Sequence, residues 1–394
     1  MRVTKSTSAN SDNSIQPKVA KMLNTLAKTT KAPRSIFNSE KAFPMTPEEI
    51  TSEWLSEALG VPVKSFKITN AIHGTASKIF LDLEFQDEDS TREIPSKVCV
   101  KGGFNPVILQ TVPEMWATYR REAEFYHYIA PQTNMLLPKT WFTGTDKVNG
   151  QGIVIMSNTA EECKFGMPLE PWTPELVEGA LKQLASLHGK TWNRSEEEYP
   201  WLFGKDGVKL ENPVRKIVLA LLHPAPWGAR FDEKCRPPVA ESLLDRERIQ
   251  RGFEALWKHA DADLKFFSLI HGDDHIGNTF ITNDGTPGFI DWQGLQYGPA
   301  ILDLVYFLVG AMSVEDRRAH EGHLIDSYLE ALHTEGGPKM TRGDIWDEYR
   351  RYAMQGFLWA MTPQTMQPDD VVFAMSERYS AALVDHQTLE LLGV

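Results

Sequence analysis

Residues 270–304 read IHGDDHIGNTFITNDGTPGFIDWQGLQYGPAILDL. The stretch predicts strand, loop, strand, turn, strand. Residues 266–270 form a short apolar run that stops at His271-Gly272-Asp273-Asp274. Residues 279–281 form a second, closed by Asn283-Asp284-Gly285 with Pro287 two positions on, and residues 288–290 run into Asp291. The hairpin therefore gathers His271, Asp273 and Asn278 near Asp291, which follows Asp273 by eighteen positions. Carboxylates crowded at one end of a hairpin repel, and packing gains nothing from them. A divalent cation reverses that sign, because Mg²⁺ favours one or two carboxylates together with substrate phosphates. A further acid, left free of metal and aimed at a hydroxyl, would serve as a base.

His271, Asp273 and Asn278 fit the spacing H-x-D-x-x-x-x-N, which places the base and a metal ligand in phosphoryl transfer of the kinase class. Gly272 stands where protein kinases carry Arg, and Asp291 is followed by Trp292-Gln293 rather than Phe-Gly. HGDxHxGN with the later IDW resembles the aminoglycoside phosphotransferase and choline kinase-like superfamily, and most closely its ecdysteroid kinase-like (CHK-like) branch. LASLHGKTW at 184–192 and DLVYFL at 303–308 fit that branch too. The resemblance covers roughly residues 45–394. It implies an α+β, bilobal, protein kinase-like fold, with a small antiparallel-sheet N-lobe and a larger, mainly helical C-lobe. It also implies ATP- and Mg²⁺-dependent phosphorylation of a small-molecule hydroxyl, with Asp273 as base and Asn278 and Asp291 as Mg²⁺ ligands. His271, His275 and Asp303 would support the loop. Asp274 reads as a solvated neighbour of the base.

At 394 residues the chain has room for two lobes. No run of about 18 apolar residues occurs, so no membrane span is expected. The net charge of −12 argues against nucleic-acid binding. Cys99, Cys163 and Cys235 are scattered without metal-ligand spacing, which suits a reduced, cytoplasmic setting. Residues 1–44 read as a basic arm, flexible or loosely docked, with one short helix near 17–27. Its first 39 residues carry seven basic side chains against Asp12 alone. A mitochondrial transit segment is the alternative reading of that arm.

The N-lobe is assigned to residues 45–157. Thr46-Pro47-Glu48-Glu49 opens a helix that runs to Leu59 and ends at Gly60. Strands follow at 63–69 and 78–85, with the loop 70–77 between them. In a kinase this loop covers the nucleotide phosphates, which assigns Gly74, Thr75 and Ser77 to the nucleotide. A polar turn at 86–93 leads to a third strand, 96–101, with Lys101 at its end. Lys101 resembles the nucleotide-positioning lysine, which needs an acid from a helix. Residues 112–130 supply that helix with Glu122 and Glu124, and the family pattern E-x-x-F-Y favours Glu122. Strands at 138–143 and 152–156 end in Ser157-Asn158, which resembles the hinge that reads adenine.

The C-lobe is assigned to residues 158–394. Thr173-Pro174-Glu175 caps a helix whose stripe includes His188, read as a core histidine. Residues 198–238, rich in Pro, Trp and Gly, read as irregular and look like an insertion, and 241–259 form a helix leading to the catalytic loop. After Asp303 the chain reads as helical, with breaks near 336–338 and 362–368. Met354, Phe357, Trp359, Met361 and Met366 read as helical core. If some of them line the acceptor site instead, the acceptor is an apolar alcohol such as a sterol or terpenoid. GTP as donor, a phosphate that serves later as a leaving group, and a catalytically silent kinase-like protein binding a small molecule or partner are the alternatives.

Overall fold

Ile79, Leu81 and Leu83, and on the neighbouring strand Val98 and Val100, alternate inward with a period of two. That pattern builds the smaller lobe. The structure is a computed structural model that describes residues 26–28, 31–86, 94–111, 115–160, 162–202 and 213–394. Strands β1 (Leu26–Ala27), β2 (Arg34–Ser39), β3 (Val63–Ile72), β4 (Ser77–Phe85), β5 (Lys97–Gly102), β6 (Leu137–Pro138), β7 (Thr140–Asp146) and β8 (Gly152–Ser157) precede the larger lobe. Six of them form one sheet in the order β2-β7-β8-β5-β4-β3. Every pair in it is antiparallel except β2 with β7. Leu55, Phe142, Ile153 and Ile155 complete the core beneath it.

The reading of residues 1–44 as a flexible arm fails for 34–44. β2 pairs in parallel with β7, Ile36 packs on the core, and Phe43 is buried with its N–H donating to Asp146 Oδ2 at 3.0 Å. An edge strand is held largely by backbone hydrogen bonds, so composition leaves little trace of it. Leu26–Ala27 is likewise a strand, paired with β6, and not the end of a helix. The rest of the helix expected near 17–27, most of the turn at 86–93, and the first residues of the helix expected at 112–130 lie outside the described residues.

The single helix expected from Thr46 is divided. Pro47–Glu49 is one 3₁₀ turn, the chain breaks at Ile50, and Thr51 caps α1 (Ser52–Leu59) by accepting the Trp54 N–H at 3.1 Å. Gly60 ends it at φ 72°, as expected. α2 (Pro106–Thr111) precedes α3 (Trp116–Glu124), which continues into a π-helical turn, Phe125–Ile129. Phe125 and Tyr126 of that turn are both fully buried, and Phe125 stacks on Trp292 of the second lobe.

In the C-lobe, α4 (Pro174–Thr191) packs along the long helix Val314–Thr334. The insertion is not irregular throughout: Pro213–Leu221 and Pro224–Arg230 are helical, each opened by proline. Trp227 and Phe231 stack on each other and against Phe357. α5, the helix Arg246–Ala262 that leads to the catalytic loop, starts later than expected because Asp245 caps it, accepting the Arg248 N–H at 3.0 Å. Met354, Phe357, Trp359 and Met361 are core residues, as read, whereas Met366 is 54% exposed. Among the described residues no helix is long and apolar enough to cross a membrane.

Candidate active site

The strand Phe267–Ile270 is buried along its whole length and hands the chain to His271. From the helix Ala300–Ala311, Asp303 reaches back and accepts the N–H groups of His271 at 2.6 Å and Gly272 at 3.1 Å. Asp303 Oδ2 also lies 3.3 Å from His188 Nε2, and His188 Nδ1 lies 2.8 Å from the Tyr328 hydroxyl. Asp303 therefore holds loop backbone, as expected, and the core histidine His188 is its buttress. Gly272 has φ 76°, and a Cβ there would meet Gly294 O at 2.5 Å, so the turn requires glycine.

His271 is fully buried. Its Nδ1 accepts the Asp273 N–H at 3.3 Å and its Nε2 donates to Ile290 O at 3.0 Å. Those roles assign a neutral ring with the proton on Nε2, and burial lowers its pKa in the same sense. One imidazole thus ties the residue of the proposed base to the residue before Asp291.

The Asp273 side chain faces the cleft and is 55% exposed. The protein atoms around it push its carboxyl above the ordinary range, against the pull of His275 and His271. Asn278 Nδ2 donates to Asp273 O at 2.8 Å and to Oδ2 at 3.2 Å. His275 Nδ1 accepts the Gly277 N–H at 3.1 Å, which leaves its Nε2 4.0 Å from Asp273 Oδ1. His275 so shapes the loop and also faces the carboxylate, its ring edge-on to Trp359.

Asp274 contradicts its reading as a solvated neighbour. It is 1% exposed, and neither carboxylate oxygen has a hydrogen-bond partner among the described residues. Burial first, and the Asp303 charge second, push its carboxyl well above the ordinary range. Successive side chains of an extended segment point to opposite sides, so the residue after an outward Asp273 turns into the lobe.

Asp291 adopts φ 67°, ψ 67°, a left-handed conformation that Asp tolerates and that recurs at functional sites. Its Oδ1 lies 2.9 Å from Lys101 Nζ and its Oδ2 3.9 Å from Lys78 Nζ. Burial would raise its carboxyl, but the Lys101 and Lys78 charges outweigh that and hold it down at about 2. Lys101 Nζ donates to Glu122 Oε1 at 2.7 Å, and both side chains are at most 4% exposed. The same Oε1 accepts the Trp292 N–H at 3.3 Å, and Trp292 stacks on Phe125 at 3.8 Å. Glu124, the rival acid, turns to Arg120 at 2.8 Å instead.

At the loop before β4, Gly74 and Thr75 are exposed and Thr75 O accepts the Tyr119 hydroxyl at 2.6 Å. Ser77 is buried with its Oγ 3.0 Å from His73 Nδ1, so it braces the loop and does not present a free hydroxyl to the cleft. Sequence reasoning missed Tyr119 and Lys78. The signal for Tyr119 was its place one helical turn before Glu122.

The oxygen set suits a hard divalent cation. Asn278 turns its amide NH₂ to Asp273, which leaves Oδ1 without a partner among the described residues, and Asp291 is held ionised. Cations from one lobe face carboxylate and amide oxygens from the other, and such an arrangement suits a phosphate chain with its metal; the class so defined is the kinase-like phosphotransferases. The chain belongs to the phosphotransferase enzyme family, whose pattern matches residues 100–350. No functionally curated protein matches it. Among solved structures it is similar to a thermostable mutant of aminoglycoside phosphotransferase APH(4)-Ia, at 13% identity over 85% of this chain and 99% of that one, TM-score 0.45. It is similar to an ethanolamine kinase of Plasmodium vivax, at 15% identity over 82% and 84%, TM-score 0.47. A choline kinase from Cryptosporidium parvum matches at 12% identity over 88% and 92%, TM-score 0.46. Identities this low carry no substrate across.

Proposed function

We propose that this chain is an ATP- and Mg²⁺-dependent kinase of the CHK-like branch that phosphorylates a hydroxyl of a small molecule in the cytoplasm. The observation that carries the reading is the chain Glu122–Lys101–Asp291, which joins a buried pair of the smaller lobe to the loop region of the larger one, together with a solvent-facing Asp273. Asp273 accepts the proton of the acceptor hydroxyl, with Asn278 and His275 fixing the carboxylate's direction. Lys101, aligned by Glu122, offsets negative charge on the nucleotide phosphates. Asn278 Oδ1 and the Asp291 carboxylate would hold Mg²⁺, which supplies charge neutralisation along the phosphate chain. Positioning and electrostatics account for most of the rate in such a site.

The acceptor we favour is an apolar alcohol, such as a sterol or terpenoid. Support comes from the segment 165–169, which lies against the catalytic loop: the Gly166 N–H donates to Thr279 O at 3.1 Å. Phe165, Met167 and Leu169 on that segment are exposed. Cys99, Cys163 and Cys235 are free thiols, in keeping with a reduced compartment.

Thermal shift with ATP or GTP, with and without Mg²⁺, on wild type and Asp291→Ala tests the nucleotide site. A Mg²⁺-dependent rise in Tm that the variant loses is expected. Incubation with hydroxylated acceptors and mass-spectrometric detection of an added phosphate then tests transfer. No shift at millimolar nucleotide would overturn the reading.

A further inference from the structure

We infer that Lys78 is a second phosphate-binding lysine, one that contacts the polyphosphate of the nucleotide alongside Lys101; the inference rests on the nucleotide reading above. In the β4–β5 ladder Lys78 is paired directly with Lys101. Directly opposed residues of an antiparallel pair present their side chains to one face, and like charges so placed destabilise the sheet. Both ammonium groups point to the same carboxylate, at 2.9 Å for Lys101 and 3.9 Å for Lys78.

The two lysines are not equivalent. Lys101 is buried and keeps Glu122 as a counter-charge whatever Asp291 does. Lys78 is 34% exposed, and among the described residues Asp291 is the one carboxylate that pairs with it. Once Asp291 turns its oxygens to a cation, Lys78 is left as an open, uncompensated charge in the cleft. It is the second residue of β4, directly after the loop 73–76 that would cover the phosphates, so a phosphate chain beneath that loop would lie within its reach. A polyphosphate satisfies both lysines at once and removes the cost of pairing them.

The test compares wild type, Lys78→Gln and Lys78→Arg for binding of ATP, ADP and adenosine with Mg²⁺, by calorimetry, alongside the Tm of each ligand-free protein. Lys78→Gln should weaken ATP by about tenfold, the loss of one charge-assisted contact, weaken ADP less, and leave adenosine unchanged. Lys78→Arg should restore most of the ATP affinity, and the ligand-free Tm should stay near wild type. ATP affinity within twofold of wild type in Lys78→Gln overturns the inference. So does a parallel loss of ATP and adenosine with a lowered Tm, which would make Lys78 only a structural counter-ion of Asp291. Failure of wild type to bind any nucleotide overturns the underlying reading as well, and is distinguished by needing no variant.

Discussion

Lys101 Nζ lies 2.7 Å from Glu122 Oε1, a strand end joined to a helix across 21 positions of sequence with both groups shut off from water. Burial alone would lower the lysine's pKa; the charges of Asp291 and Glu122 more than reverse that. Glu122 also accepts the Trp292 N–H, so one carboxylate sets both Lys101, the lysine proposed to bind phosphate, and the turn of Asp291. Removing one partner of a buried pair costs about 3–5 kcal/mol. Glu122→Gln should therefore lower Tm and weaken ATP binding, whereas Glu124→Gln, on the Arg120 side of the helix, should leave ATP affinity unchanged. Denaturant melts and nucleotide titrations on the two variants separate the roles; equal ATP binding by both would argue against Glu122.

Asp273→Asn should reduce turnover by at least about 10²-fold, the lower end of general-base contributions. Nucleotide affinity should persist, because the cationic side of the cleft is untouched. Steady-state kinetics with a found acceptor, paired with ATP titration, checks it. Wild-type turnover in the variant would remove Asp273 from the base role.

The buried Asp274 makes a pH prediction of definite sign. Its folded-state pKa is raised above the unfolded value, so the folded chain holds a proton that the unfolded chain has lost. Its contribution to stability is intact below about pH 4, the ordinary Asp value, and is lost as pH rises toward the folded pKa. Asp274→Asn removes that loss. The variant should melt higher than wild type at pH 8 and near wild type at pH 4. A wild-type advantage at pH 8 would show that the ionised carboxylate finds a favourable partner.

Gly272→Ala places a Cβ 2.5 Å from Gly294 O at a backbone φ of 76°. The left-handed conformation alone costs an L-residue roughly 1–2 kcal/mol, and the backbone contact adds to it. A lowered Tm with a disproportionate loss of kcat is expected, since the displaced residue directly precedes Asp273. Unchanged melting and kinetics would mean that the turn tolerates a side chain.

Local pattern was enough to read several features of this chain. The hairpin from His271 to Asp291, Lys101 at the end of an alternating strand, the helix bearing Glu122, and the helix opened by Pro174 all follow from spacing and propensity, and the structure places them as read. These features depend on neighbours in sequence, where periodicity and turn chemistry act.

Other features depended on which surfaces meet in space. Asp274 reads as solvated because Asp usually is; only the packed lobe behind the loop shows that the strand's alternation turns it inward. Arg34–Ser39 carries almost no strand signal, since an edge is recruited by the open backbone of β7. Ser77 looks like a loop hydroxyl until His73 is seen to engage it, and Lys78 looks like a surface lysine until the β4–β5 register sets it against Lys101. The sequence by itself determined the chemical groups and their local geometry. Which of them face the cleft, which are buried and which share a counter-charge was decided by tertiary structure, because burial and ion pairing are set by distances between segments that sequence spacing does not contain.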